Sequence, residues 1–157
     1  MVDGRGKAKR TTPMAEIVVL CLSVGLITVL VHQTGLLAIG ALAGRFASAH
    51  LRLVMLGVVG GILALHVSEI GIYALAIGAA EHLFHLGRLI GDVDGSNLEL
   101  LYFSAETFTS LGFGDILPTG QMRLLASFEP LNGLILIGWS ASFIHLEINR
   151  YWRNSDL

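Results

Sequence analysis

Charge is scarce in this sequence. Only 14% of its 157 residues are Asp, Glu, Lys or Arg, against 54% hydrophobic, and the charges lie mostly between the apolar stretches. That balance excludes an ordinary soluble domain and directs the chain to a membrane. Cysteine is scarcer still. The one residue, Cys21, lies inside an apolar segment, which excludes an intrachain disulfide and makes it a small core residue rather than a reactive thiol. Arginine never recurs at every third position, as a voltage-sensing helix requires; Arg45 and Arg52 stand alone at segment ends. No internal repeat is present. About five residues follow Trp152, too few for a nucleotide- or calcium-sensing module, so no regulatory domain is expected there. The net charge of -2 gives no case for a nucleic-acid partner. The short basic arm of residues 1–13, with Arg5, Lys7, Lys9 and Arg10, reads as a topogenic or lipid-headgroup feature.

The apolar residues are gathered into stretches from Met14 to about Ala43, Leu51 to about Ala80, and Met122 to about Trp152. Each exceeds the roughly 20 residues needed to cross a hydrocarbon core. A fourth, Leu98 to Thr109, is too short to span and fits a re-entrant half-helix. Ser96 or Asn97 offers its N-cap, and Glu99 suits the first turn. Its carboxyl end, with a partial negative charge of about half an elementary charge, would face a cation.

Directly after that half-helix the chain reads Thr109-Ser110-Leu111-Gly112-Phe113-Gly114-Asp115, with Pro118 close behind. A stack of backbone carbonyls that replaces the hydration shell of a cation needs every second residue in a conformation that turns its oxygen inward. Glycine meets that need at Gly112 and Gly114. Non-helical backbone at membrane depth is tolerated only where it lines a polar cavity inside protein. One chain cannot enclose such a cavity, so several copies are implied.

Ser110-Leu111-Gly112-Phe113-Gly114 resembles the Thr-Val-Gly-Tyr-Gly selectivity filter of the tetrameric potassium channels. Serine keeps the innermost hydroxyl, leucine keeps an apolar side chain, and phenylalanine keeps the ring without the tyrosine hydroxyl. Leu101 to Phe108 resembles the pore helix of the bacterial members, with aromatics early and Glu106 shortly before the filter. Arg123-Leu124-Leu125-Ala126 followed by Gly133 resembles the start of their inner helix and its hinge glycine. The likeness covers about a third of the chain.

It implies an all-α membrane protein of three transmembrane helices, with the pore helix and filter between the second and third, assembled as a homotetrameric pore. The implied organisation is an additional transmembrane segment over 14–50 and a pore domain over 51–157. That domain divides into outer helix 51–87, pore helix 98–109, filter 110–114 and inner helix 122–152. The implied activity is passive, potassium-selective conduction in a plasma or inner membrane. Potassium is the permeant ion at Ser110, Leu111, Gly112, Phe113 and Gly114, with no cofactor, no structural metal and no catalysis. Thr109, Glu106 and Asp115 support the filter, and Glu106 and Asp115 are expected to share a proton. Pro130 and Gly133 are the expected gating hinge, although Gly133 also suits close helix packing.

The resemblance also sets an orientation. Arg150 and Arg153 fall in the cytoplasm with Arg45, His50 and Arg52, and the acidic connection of Glu81, Asp92, Asp94 and Glu99 lies outside. The basic arm then lies on the side that the positive-inside rule disfavours. A cleaved signal peptide ending at Ala41-Leu42-Ala43 would invert the pore. A hairpin turning at His32 to Gly35, with a return leg from Leu36 to Ala47, would satisfy every basic cluster.

Ionisable groups inside apolar segments are functional candidates by default. His66, Glu69 and Tyr73 share a helix face and are expected to join a network with His32, Gln33 or Ser140, or to sense protons. His82 and His85 form an i, i+3 pair that could bind a divalent metal or simply end a helix. Two other functions compete with conduction. Gly112-Phe113-Gly114-Asp115 matches the Gly-x-Gly-Asp motif of intramembrane aspartyl proteases, but Asp3, Asp92, Asp94 and Asp156 all lie outside the apolar segments, so no second aspartate completes a dyad. A non-conducting accessory membrane protein is the third reading.

Overall fold

The computed structural model describes residues 12–46 and 51–155. Residues 1–11 of the basic arm and His50 lie outside the described residues. Among those described, the elements run α1 (Thr12–Arg45), α2 (Leu51–His82), β1 (Leu89–Gly91), α3 (Asn97–Phe108), β2 (Ile116–Pro118) and α4 (Met122–Ser155). Helices α1, α2 and α4 are each long and apolar enough to cross a membrane, whereas α3 has 12 residues. The protein is an all-α membrane protein. Helices suit that setting because each satisfies its own backbone hydrogen bonds where water is absent.

Helix α1 is continuous through His32 to Gly35, which overturns the hairpin expected there. Its buried positions, Ile17, Cys21, Val24, Thr28, His32 and Leu36, recur every three or four residues and form one inward stripe. Leu22, Leu26, Leu30 and Leu37 face outward. A turn at His32 would take both Thr28 and His32 out of that stripe. Instead both are fully buried against polar partners on other helices.

Helix α2 ends at His82, short of the expected residue 87. The Leu83 and Phe84 amides both bond Ala79 O, and His85 enters the left-handed region at φ 51°, so the chain turns away there. His82 and His85 therefore do not form the expected helical pair. The small sheet that follows had no strong signature in the sequence. Leu89 pairs with Pro118, Ile90 with Leu117 and Gly91 with Ile116 in antiparallel register. Thr119 extends the clasp, its amide and hydroxyl both donating to Arg88 O while its Oγ1 accepts from the Arg88 amide. The segment after residues 110–114 is thus tied to the segment leaving α2.

Helix α4 begins at Met122 as expected and continues to Ser155 through Pro130. The main core joins Ile17, Cys21 and Val24 of α1 to Tyr73 and Ile77 of α2, Phe103 and Phe108 of α3, and Leu125 and Leu136 of α4. The additional helix α1 is thereby packed into the same core as the pore loop. Close approach rather than water exclusion holds such contacts in a bilayer.

Candidate functional site

Helix α3 starts at a capping box, Ser96-x-x-Glu99. Ser96 Oγ accepts from the Glu99 amide at 3.2 Å, and Glu99 Oε2 reaches back to the Asp94 and Gly95 amides, each at 2.7 Å. Asp94 Oδ1 accepts from the Ser96 amide at 2.8 Å. Hydrogen bonds from Ser96, side chain first and amide second, hold the Asp94 carboxyl below the usual aspartate range. Of the two N-cap candidates, Ser96 takes the position. At the other end Thr109 is the C-cap rather than a helical residue, its hydroxyl donating to Ala105 O at 2.7 Å.

The chain then enters a conformation that alternates residue by residue. Ser110, Gly112 and Gly114 have φ of 61°, 56° and 82°, while Leu111 and Phe113 do not have positive φ. The two glycines were expected; the left-handed serine was not, because a side chain disfavours that region. Four successive amides turn back to α3. Ser110 N–H bonds Thr107 O at 3.0 Å, Leu111 and Gly112 N–H bond Glu106 O at 2.8 and 3.2 Å, and Phe113 N–H bonds Glu106 Oε2 at 2.9 Å. In a planar trans peptide the preceding carbonyl points opposite to the N–H. The oxygens of Thr109, Ser110, Leu111 and Gly112 therefore project together on the side away from α3, which is the arrangement a desolvated cation requires.

The two flanking carboxylates do not behave as expected. The nearly buried Glu106 accepts from the Phe113 amide, and Asp115 Oδ2 accepts from the Tyr102 hydroxyl at 2.9 Å. No bond between Glu106 and Asp115 is among the hydrogen bonds of the described residues, so separate donors replace the expected shared proton. The reason is the backbone path, which brings the Phe113 amide to Glu106 and the Tyr102 ring parallel to Phe113, with centroids 6.4 Å apart and planes 4° apart. The bond to Asp115 pushes the Tyr102 hydroxyl above its ordinary pKa.

Gly133 lies against the carboxyl end of α3. A Cβ there would run into Phe108 O, and the Phe108 ring would be 3.1 Å away. Of the two readings of Gly133, the geometry supplies the packing one: only glycine lets α4 come this close.

Polar side chains join the helices at three levels. Asn132 Nδ2 donates to Thr28 Oγ1 at 2.6 Å and to the Tyr73 hydroxyl at 2.9 Å. Ser104 Oγ lies 2.8 Å from Ile70 O and 2.6 Å from Glu129 Oε1. Glu69 holds His32 Nδ1 and His66 Nδ1, each at 2.8 Å, with Ser140 Oγ 3.1 Å from His66 Nε2 and 3.5 Å from His32 Nε2. The network expected around His66 and Glu69 is thus present with His32 and Ser140; Tyr73 belongs instead with Asn132. Sequence reasoning gave no role to Thr28 or Ser104 and did not pair Asn132 with Tyr73. Their signal was available as polar residues at helical spacing within apolar runs.

Residues 72–147 match a family model described as an ion channel. Over those residues the chain is similar to an ion-channel pore. The match runs from the second half of α2 to the later turns of α4, so α3 and the alternating loop lie inside it. No curated protein and no solved structure matches the chain. With three apolar helices beside this match, the protein is an integral membrane protein.

Proposed function

We propose that the protein conducts potassium selectively and passively, through a path built by four copies of the chain around a common axis. The observation that carries this reading is the alternation of φ over Ser110–Gly114, with the amides turned back to α3 and the carbonyls presented together on the other side. Rings of such carbonyls, with the Ser110 hydroxyl innermost, replace a hydration shell without any cofactor. Leu111 and Phe113 are 59% and 65% exposed in a single chain, a surface that neighbouring copies would cover. The axis lies in a plasma or inner membrane. Bending of α4 is assigned to Pro130, where proline removes an intrahelical bond, rather than to the wedged Gly133.

The test is purified protein in liposomes with opposed potassium and sodium gradients. A reversal potential close to that of potassium is expected, and one midway between the two ions rejects the selectivity. Gly112→Ala should abolish selective flux, since its φ of 56° is disfavoured for any residue with a Cβ.

A further inference from the structure

We propose that His32, His66 and Glu69 form a binding site for a divalent transition-metal ion of the zinc class, set between α1 and α2 and backed by Ser140 of α4. One donor atom from each of the three residues lies within 4.8 Å of the others. His32 and Glu69 are fully buried, and His66 closes the group with its side chain 15% exposed, which gives an ion a way in. Around a tetrahedral zinc, metal–ligand bonds of about 2.1 Å place neighbouring donor atoms about 3.4 Å apart. The observed separations of 2.8 Å, from His32 Nδ1 to Glu69 Oε1 and from His66 Nδ1 to Glu69 Oε2, would each open by about 0.6 Å, with Glu69 holding the ion through either oxygen.

The hydrogen-bonding capacity of the group favours an added cation. With both rings neutral and both Nδ1–H groups donating to Glu69, each Nε2 is an acceptor. Ser140 lies beside both Nε2 atoms yet has one proton to offer. One of the two Nε2 atoms is then left without a proton donor, a costly state for the fully buried His32. A metal on the two Nδ1 atoms and Glu69 reverses the roles. Each Nε2 carries its hydrogen and donates to one of the two lone pairs of Ser140 Oγ, the outer-shell hydrogen bond that metal-ligating histidines usually make. Two imidazoles and a carboxylate are ligands suited to zinc, and they leave a fourth position for water or an anion that offsets the remaining charge. The ion would clasp α1 to α2 and, through Ser140, to the pore-lining α4.

Cobalt(II) titrated into purified, metal-stripped protein reads the site directly. One equivalent per chain, with the visible absorption of tetrahedral cobalt and displacement by zinc, is the expected result. His66→Ala should lose that absorption, and Ser140→Ala should weaken binding by about 10- to 100-fold. Were His66→Ala to misfold, paramagnetic broadening of the His32 and His66 ring signals in the parent protein would identify the ligands instead. No saturable cobalt uptake, uptake unchanged in folded His66→Ala, or broadening confined to other histidines overturns the proposal. So does a metal-free parent whose ring signals show one imidazolium and that takes up no cobalt, since a proton then supplies the missing hydrogen. These readouts do not depend on ion flux, so they stand or fall apart from potassium selectivity.

Discussion

The Glu106 carboxylate accepts a hydrogen bond from the Phe113 amide at 2.9 Å, so a side chain of α3 grips the backbone of the loop seven residues further on. A hydrogen bond from an amide to an ionised carboxylate contributes about 1.5 to 3 kcal/mol. Glu106→Ala should therefore shorten the open lifetime by roughly tenfold or more, at about 1.4 kcal/mol per factor of ten. Glu106→Gln, which retains a carbonyl acceptor, should fall between. Single-channel dwell times check this, and parental lifetimes in Glu106→Ala would mean that the bond does not brace the filter.

Tyr102 gives the loop after α3 a pH dependence. Its hydroxyl donates to Asp115, and its pKa is raised above the ordinary tyrosine value of about 10. The folded state thus holds this proton more tightly than the unfolded chain. The bracing is fully present below the unfolded value and is lost as pH rises through the folded one. Tyr102→Phe keeps the ring stacked on Phe113 and removes the titration. The parent's filter stability should decline at alkaline pH, while the variant is weaker at neutral pH and flat across the same range; sustained currents at stepped external pH decide between them.

Gly133→Ala is expected to destabilise the protein by about 1 to 3 kcal/mol, the range for overpacking a close contact. The obstacle is the Phe108 carbonyl, which is backbone and cannot rotate aside. Thermal unfolding in detergent measures the loss. A parental melting temperature would show that α4 can withdraw freely, as a hinge would.

Ser104 has one hydroxyl proton but touches two acceptor positions, Ile70 O and Glu129 Oε1. If that proton goes to the backbone carbonyl, the 2.6 Å bond to Glu129 must be made by a carboxyl proton. Glu129→Gln, a neutral isostere with a donor of its own, should then fold and conduct nearly as the parent does. Glu129→Ala should lose stability. Infrared difference spectra should show a protonated carboxyl band in the parent that Glu129→Gln lacks, and its absence from the parent would contradict the assignment.

Hydropathy and one seven-residue run carried most of this architecture. Long apolar stretches, the short α3 with its cap at Ser96 or Asn97, and glycines at 112 and 114 are local properties. Each depends on composition or backbone freedom at its own position, so they are legible without knowing what they touch. The meeting of side chains across helices is not local. A polar residue on a buried stripe must find a partner, yet helical periodicity does not say which helix supplies it. Hence Tyr73 turned to Asn132 rather than to Glu69, Asp115 to Tyr102 rather than to Glu106, and Gly133 became a contact surface for Phe108. The β1–β2 clasp was hidden for a similar reason: two strands of three residues carry too little alternation to be seen until the chain folds them side by side. The course of α1 through His32 was decided the same way, by Glu69 on a neighbouring helix taking up the histidine that a turn would have exposed.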